Sequence, residues 1–161
     1  MKYKIIKNFL DNDTLKSLQQ RLLSHEFAWF YRPRQVEDED REFSDYFCHS
    51  FFQSVTINSD DWPLVLPLVN KLNVKALIEI RANLVIQRPK KIISGFHTDN
   101  DYDCKTAIFY INTCNGYTLF ENGEKVKCNE NKIIIFDTNL KHAAASQTDT
   151  KQRVVLNINY F

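Results

Sequence analysis

His97 and Asp99 stand one residue apart in the stretch Gly95-Phe96-His97-Thr98-Asp99. On an extended chain, side chains at i and i+2 leave the same face, so an imidazole and a carboxylate address one point in space. Two histidines and a carboxylate form the facial ligand set that holds non-haem Fe(II) and leaves other coordination positions open. His142 is the candidate for the second imidazole. Arg153, eleven residues further on, is the candidate partner for an anion sharing that metal. A His-x-Asp pair alone is commonly no more than two surface polar residues. The reading rests on whether the chain sets all four side chains in suitable elements.

The chain of 161 residues has the length of one domain with a real core. Phe is abundant, at 12, while Gly and Pro number 3 and 4, which fits a packed chain rather than a linker. A net charge of +1 gives no global field for nucleic acid or an anionic membrane. No signal peptide and no apolar run long enough to span a bilayer is visible. Cys48, Cys104, Cys114 and Cys128 form no Cys-x-x-Cys pair, which argues against a structural zinc site and for free thiols in a reducing, cytoplasmic setting.

The positioning elements follow in order. Residues 2–10 read as a strand, and Asp11-Asn12-Asp13 offers N-cap oxygens for a helix over about 12–24, with Leu15, Leu18 and Leu22 on its apolar face. His25 closes that helix as a dipole partner. Strands are expected at 27–31 and 46–52, separated by a charged loop over 32–45 that reads either as a solvated face or as a lid or substrate contact. His49 reads as a packed residue, not a ligand. Asp61-Trp62-Pro63 opens a second helix running to Leu72.

From Ala76 the period becomes two. Leu77, Glu79, Arg81, Asn83, Val85 and Gln87 share one face, and Ala76, Ile78, Ile80, Ala82, Leu84 and Ile86 share the other. The polar face would line a liganded interior, because buried polar groups need partners. Further strands are expected at 94–97, 104–112, 117–121, 124–128, 132–137, 142–145 and 152–160, with Asn122-Gly123 as a hairpin turn. With 76–87 these make eight short strands after two helices. That predicts a mainly β (α+β) jelly roll, a double-stranded β-helix buttressed by N-terminal helices. Residues 1–161 form a single domain, 1–75 as support and 76–161 as the barrel core.

His97-x-Asp99, then His142, then Arg153, spread over eight strands, resembles the Fe(II)/2-oxoglutarate-dependent dioxygenases, and most of all their prolyl-4-hydroxylase-like branch with its short phage-encoded members. The resemblance covers 76–161 well and the N-terminal half more loosely. It implies that His97, Asp99 and His142 bind Fe(II). It implies that Arg153 pairs with the distal carboxylate of 2-oxoglutarate, where a planar guanidinium suits a bidentate contact. Tyr110 matches a tyrosine that shares this carboxylate. Asn83, Gln87 and Thr118 are candidate co-substrate neighbours, and Asn159 matches a position near the metal.

The implied reaction hydroxylates a C–H bond, consumes O2 and releases succinate and CO2, with ascorbate as a candidate reductant. A peptide or protein is the expected substrate, with prolyl residues leading. Phe27, Trp29 and Tyr31 are candidates for its groove. Two departures bear on this. Asn159 occupies the place where nucleic-acid demethylases carry a second arginine, and Asn115-Gly116-Tyr117 stands where many prolyl hydroxylases carry a double-glycine turn. The alternatives are action on a nucleobase or small metabolite, a cupin-type metal site without 2-oxoglutarate, and a catalytically silent jelly-roll binding module.

Overall fold

The computed structural model describes residues 3–33 and 45–161; most of the expected 32–45 loop lies outside the described residues. Along the chain run β1 (Tyr3–Lys7), α1 (Asn12–Leu22), β2 (Phe30–Arg32), β3 (Tyr46–Gln53), β4 (Thr56–Ile57), α2 (Leu66–Leu72), β5 (Leu77–Ile86), β6 (Lys105–Tyr110), β7 (Tyr117–Phe120), β8 (Lys125–Lys127), β9 (Lys132–Asp137), β10 (His142–Ala145) and β11 (Gln152–Tyr160). An eight-stranded sheet has the order β1-β9-β6-β11-β5-β3-β2, with β4 paired to β3, and a three-stranded sheet has the order β10-β7-β8. The pairings are antiparallel throughout. The large sheet therefore draws strands from both halves of the chain.

Helix α1 starts where an oxygen is available: the Asp11 carboxylate accepts the Thr14 N–H at 2.9 Å. Leu15, Leu18 and Leu22 are buried in one apolar cluster with Leu68 of α2 and with Ile80, Ala82, Phe109, Ile133, Leu156 and Ile158 of the large sheet. Sheet residues on this face alternate with those that face the small sheet, as the period of two on β5 and β11 requires. A second cluster, around Ile108, Tyr110, Phe120, Ile134, Phe136 and Val155, fills part of the space between the sheets.

Three expected elements differ. The helix expected from Asp61 to Leu72 is broken into a 3-10 turn over Trp62–Leu64 and α2. Pro67 lacks an N–H and fits only a first turn, so the helix restarts just before it. The 94–97 strand is reduced to bridges at Ile93, opposite Ala145, and at His97, opposite His142. The strand expected at 27–31 is shifted to β2, and Phe27 instead enters the apolar cluster.

Asn122-Gly123 does form the β7–β8 turn, with Gly123 at φ 87° and its N–H bonded to the Phe120 carbonyl at 2.9 Å. His49 is a packed residue, its ring nitrogens 2.8 Å from the Ala28 carbonyl and 2.7 Å from the Ser59 hydroxyl. No helix among the described residues is long and apolar enough to cross a membrane. The four cysteines are free and buried.

Candidate active site

Two backbone hydrogen bonds tie His97 to His142: each N–H donates to the other's carbonyl at 3.0 Å. The imidazoles lie side by side, with ring centroids 4.7 Å apart. Asp99 lies two residues past the bridge and turns its carboxylate between them. Its oxygens are 3.8 Å from His97 Nε2 and 3.8 Å from His142 Nε2. One ligand atom from each of the three falls within 4.8 Å of the others.

The hydrogen bonds behind the rings define what the front can do. His97 Nδ1 donates to the Gly95 carbonyl at 3.1 Å, and His142 Nδ1 to the Leu140 carbonyl at 3.2 Å. With the proton on Nδ1, each Nε2 keeps its lone pair for a metal. Burial lowers the His142 pKa below its ordinary value, which also favours the neutral, ligating form. The Asn157 amide donates to both Asp99 oxygens at 3.3 Å, which orients the carboxylate. The Asp99 side chain is 1 % exposed and that of His97 24 %, so the site opens on the His97 side.

Both histidines line a cavity with Tyr46, Arg81, Asn83, Val85, Ile108, Thr118, Arg153, Val155 and Asn157. Arg153 is 3 % exposed, and its Nε has no hydrogen-bond partner. A buried guanidinium N–H without an acceptor is costly, and an anion in the cavity would relieve it. Gly116 is what lets Arg153 lie here: a Cβ on Gly116 would sit 2.8 Å from Arg153 Cδ and 2.9 Å from the Ala145 carbonyl oxygen. The Tyr110 ring lies 6.0 Å from the guanidinium carbon. Its hydroxyl is 2.7 Å from the Thr118 hydroxyl, and burial raises its pKa, so the phenol stays protonated and able to donate. The Asn83 side-chain oxygen is buried without a partner.

The fold thus brings His97, Asp99, His142, Arg153, Asn83 and Thr118 to one cavity, with Tyr110 directly behind Thr118. It does not bring Gln87 or Asn159 there. β5 ends at Ile86, and Gln87 is exposed with its amide donating to the Thr148 carbonyl at 2.7 Å. Asn159 is fully buried and does not line the cavity; its oxygen accepts the Thr106 hydroxyl at 2.8 Å.

Asn157, Arg81 and Tyr46 are cavity residues that the sequence reading did not single out. Asn157 shares the face of Arg153 four positions on, and Arg81 shares that of Asn83, so period two was a sufficient clue for both. Tyr46 carries none, because the β3–β5 pairing delivers it.

Two imidazoles and a carboxylate, all aimed at one point, fit a divalent iron. An unpaired guanidinium in the same cavity fits the far carboxylate of a chelating 2-oxo acid. The comparisons with known proteins agree with this fit. No curated protein matches the chain in sequence. Among solved structures the chain is similar to a 2OG-Fe(II) oxygenase-family oxidoreductase from Burkholderia pseudomallei, with TM-score 0.72, 9 % identity and coverage of 99 % of this chain and 84 % of that one. It is similar to a Trichoplax adhaerens prolyl hydroxylase in complex with a hypoxia-inducible-factor peptide, with TM-score 0.67, 18 % identity and coverage of 99 % and 83 %. It is also similar to the viral collagen prolyl hydroxylase of Paramecium Bursaria Chlorella virus-1, with TM-score 0.58, 13 % identity and coverage of 99 % and 89 %. These likenesses establish the jelly-roll fold. The aspartyl/asparaginyl beta-hydroxylase family model matches residues 15–161, and the chain belongs to that family of 2-oxoglutarate-dependent Fe(II) oxygenases.

Proposed function

We propose that this protein hydroxylates an unactivated C–H bond of a peptidyl residue, using Fe(II), 2-oxoglutarate and O2. The observation that carries the reading is the convergence of two Nε2 lone pairs and the Asp99 carboxylate in the cavity that holds the unpaired Arg153 Nε. His97, Asp99 and His142 would hold the metal, and Arg153, with Thr118 and Tyr110 against it, the far carboxylate of 2-oxoglutarate. Asn83 lines the co-substrate side. Iron with 2-oxoglutarate and O2 supplies the oxidising power; the chain supplies ligands, orientation and a wall of Val85, Ile108 and Val155 that excludes water. No side chain is needed as a general base for removing a C–H hydrogen atom.

A peptide substrate is supported by the family's name and by neighbours that are prolyl hydroxylases. Residues 1–161 would work as one domain in which 1–75 supports the 76–161 barrel. In this reading α1 and α2 brace the large sheet, and the leucines they share with its core support that. Buried free thiols support a reducing compartment.

The test is anaerobic absorbance with Fe(II) before and after 2-oxoglutarate. The expected result is a weak visible charge-transfer band, absent in His97→Ala and weakened in Arg153→Ala. Iron binding with no band would favour a cupin-type site, and a folded protein that binds no iron would leave a silent binding module. Succinate release with peptides against oligonucleotides then separates a peptidyl substrate from a nucleobase.

A further inference from the structure

A second cleft continues from the metal cavity. It holds about 360 Å³ and is lined by Val55, Leu77, Ile78, Glu79, Asn100 and Tyr102. Strand register places it. Asn83 and Arg81 of β5 line the metal cavity, and Glu79, two positions on and on the same strand face, lines the cleft. Across the ladder, Arg81 is opposite Asn157, whose amide holds Asp99, and Glu79 is opposite Asn159. The loop that carries Asp99 reaches the cleft at its next residue, Asn100. One face of β5 therefore runs from Val85, opposite Arg153, past the metal ligands and into the cleft. The step from Arg81 to Glu79 is about 7 Å, the length of two residues of an extended peptide.

The polar groups of this cleft are left incomplete by the chain itself. The Glu79 side chain is 13 % exposed. Among the described residues its ion pairing is one contact, 3.5 Å to Arg81 Nη1, the outer limit of a hydrogen bond. A carboxylate so far withdrawn from water is stabilised by a closer cation. Asn100 Nδ2 is buried with no acceptor, and a buried donor of this kind needs one. Val55 stands in the β3–β4 turn at φ 61°, a conformation that is costly for a β-branched residue. Its side chain is nonetheless 91 % exposed, so its methyl groups pack on nothing within the protein and form a free apolar rim.

We propose that this cleft is a subsite for a lysyl or arginyl side chain of the peptide substrate, two residues away from the one presented to the metal. Glu79 takes the cationic head. Leu77, Ile78 and Val55 cover the methylene stem, which long basic side chains bury readily while the charge stays outside. Tyr102 flanks the stem, and Asn100 donates to a carbonyl of the peptide backbone. The net charge of +1 gives the whole chain no attraction for cations, so the selection is local to Glu79. The proposal rests on the oxygenase reading and adds to it a preference at a residue that does not react.

The test uses protein loaded with Mn(II) and 2-oxoglutarate, and three pools of fluorescent octapeptides. The pools are degenerate in residues other than Lys, Arg and Glu, with the fourth position fixed as Arg, Gln or Glu. Anisotropy reads binding, and the anaerobic Fe(II)/2-oxoglutarate band is recorded on every variant. The wild type is expected to bind the Arg pool about tenfold more tightly than the Gln pool, the scale of one charge-assisted pair, and the Glu pool most weakly. Glu79→Gln should abolish that preference with the band intact. Val55→Arg, which sets a like charge on the exposed rim, should reduce it with Glu79 in place. Asp13→Asn, which removes one negative charge from the exposed face of α1, should leave it unchanged. A wild type that binds the three pools alike, or a preference that survives in Glu79→Gln or is lost equally in Asp13→Asn, overturns the proposal alone. Displacement of the Arg pool by free arginine at equal concentration also overturns it, in favour of a small cationic ligand. A band missing from the wild type overturns the oxygenase reading and this proposal with it.

Discussion

His97 and His142 are bonded backbone to backbone, N–H to carbonyl at 3.0 Å in both directions, although they lie far apart in the chain. The separation of the two imidazoles is thus set by a β-bridge and not by flexible side chains. Each ring is then fixed by its own Nδ1 contact to a carbonyl two residues earlier. A metal arriving at such a site finds two of its ligands already ordered, which limits the entropy lost on binding.

Asn157→Ala removes the amide that spans both Asp99 oxygens. Hydrogen bonds behind a metal ligand carry much of its affinity, so Fe(II) or Mn(II) binding should weaken about 10–100-fold. Calorimetric titration of the metal checks this. An unchanged affinity would mean that Asp99 is held by the backbone alone.

Gly116→Ala places a methyl group 2.8 Å from Arg153 Cδ and 2.9 Å from the Ala145 carbonyl. The backbone oxygen cannot yield, so Arg153 must. The KM for the 2-oxo acid should rise about tenfold, the loss of roughly 1.4 kcal/mol from a charge-assisted pair. Metal affinity should hold. A raised KM together with weakened metal binding would point to a general collapse of the small sheet.

Acid should destabilise the metal-free protein through His142. Burial sets its folded-state pKa below the ordinary 6.5. The unfolded chain then binds the proton more readily than the folded one. The stability tied to this group is complete above about pH 6.5 and is lost as the pH falls from there towards the lower folded-state value. Metal affinity falls in the same direction, since a protonated imidazole has no lone pair to give. Denaturant midpoints from pH 8 to 5 should drop on the acid side, and His142→Gln should flatten that drop. If the slope is the same in the variant, another group governs it.

Asn131→Ala tests the link between the N-terminal segment and β9. The Asn131 side chain accepts the Leu10 N–H at 2.7 Å and donates to the Leu10 carbonyl at 2.9 Å, both buried. Removing it leaves two backbone groups unpaired, which should cost about 2–4 kcal/mol in urea unfolding. Activity per folded molecule should be unaffected, because Asn131 is not among the residues lining the cavity.

What could be read from the sequence was local. His97-x-Asp99 owes its common aim to a two-residue repeat, and the polar faces of β5 and β11 owe theirs to the same repeat, which any extended segment imposes. That repeat singled out His97 with Asp99, Asn83 and Arg153, whereas Thr118 and Tyr110 came only from the family resemblance and His142 from the ligand set that His97 and Asp99 leave incomplete. The α1 cap at Asp11 and the turn at Asn122-Gly123 were legible for the same reason: donor, acceptor and backbone conformation lie within a few residues of one another.

Where strands end and which strands meet was decided only by the tertiary structure. Gln87 continues the pattern of Asn83, but the ladder stops at Ile86, so Gln87 turns to Thr148 and solvent. Asn159 shares a face with Arg153, but it lies level with Thr106 on β6, outside the cavity lining, and a register shift follows it. Tyr46 reaches the cavity through the β3–β5 pairing, and Arg81 flanks Asp99 because β11 sets Asn157 opposite it. Side-chain alternation travels with each residue along its own strand. Register is a property of two distant strands together, fixed by which pairing buries the apolar faces and satisfies the backbone on both sides.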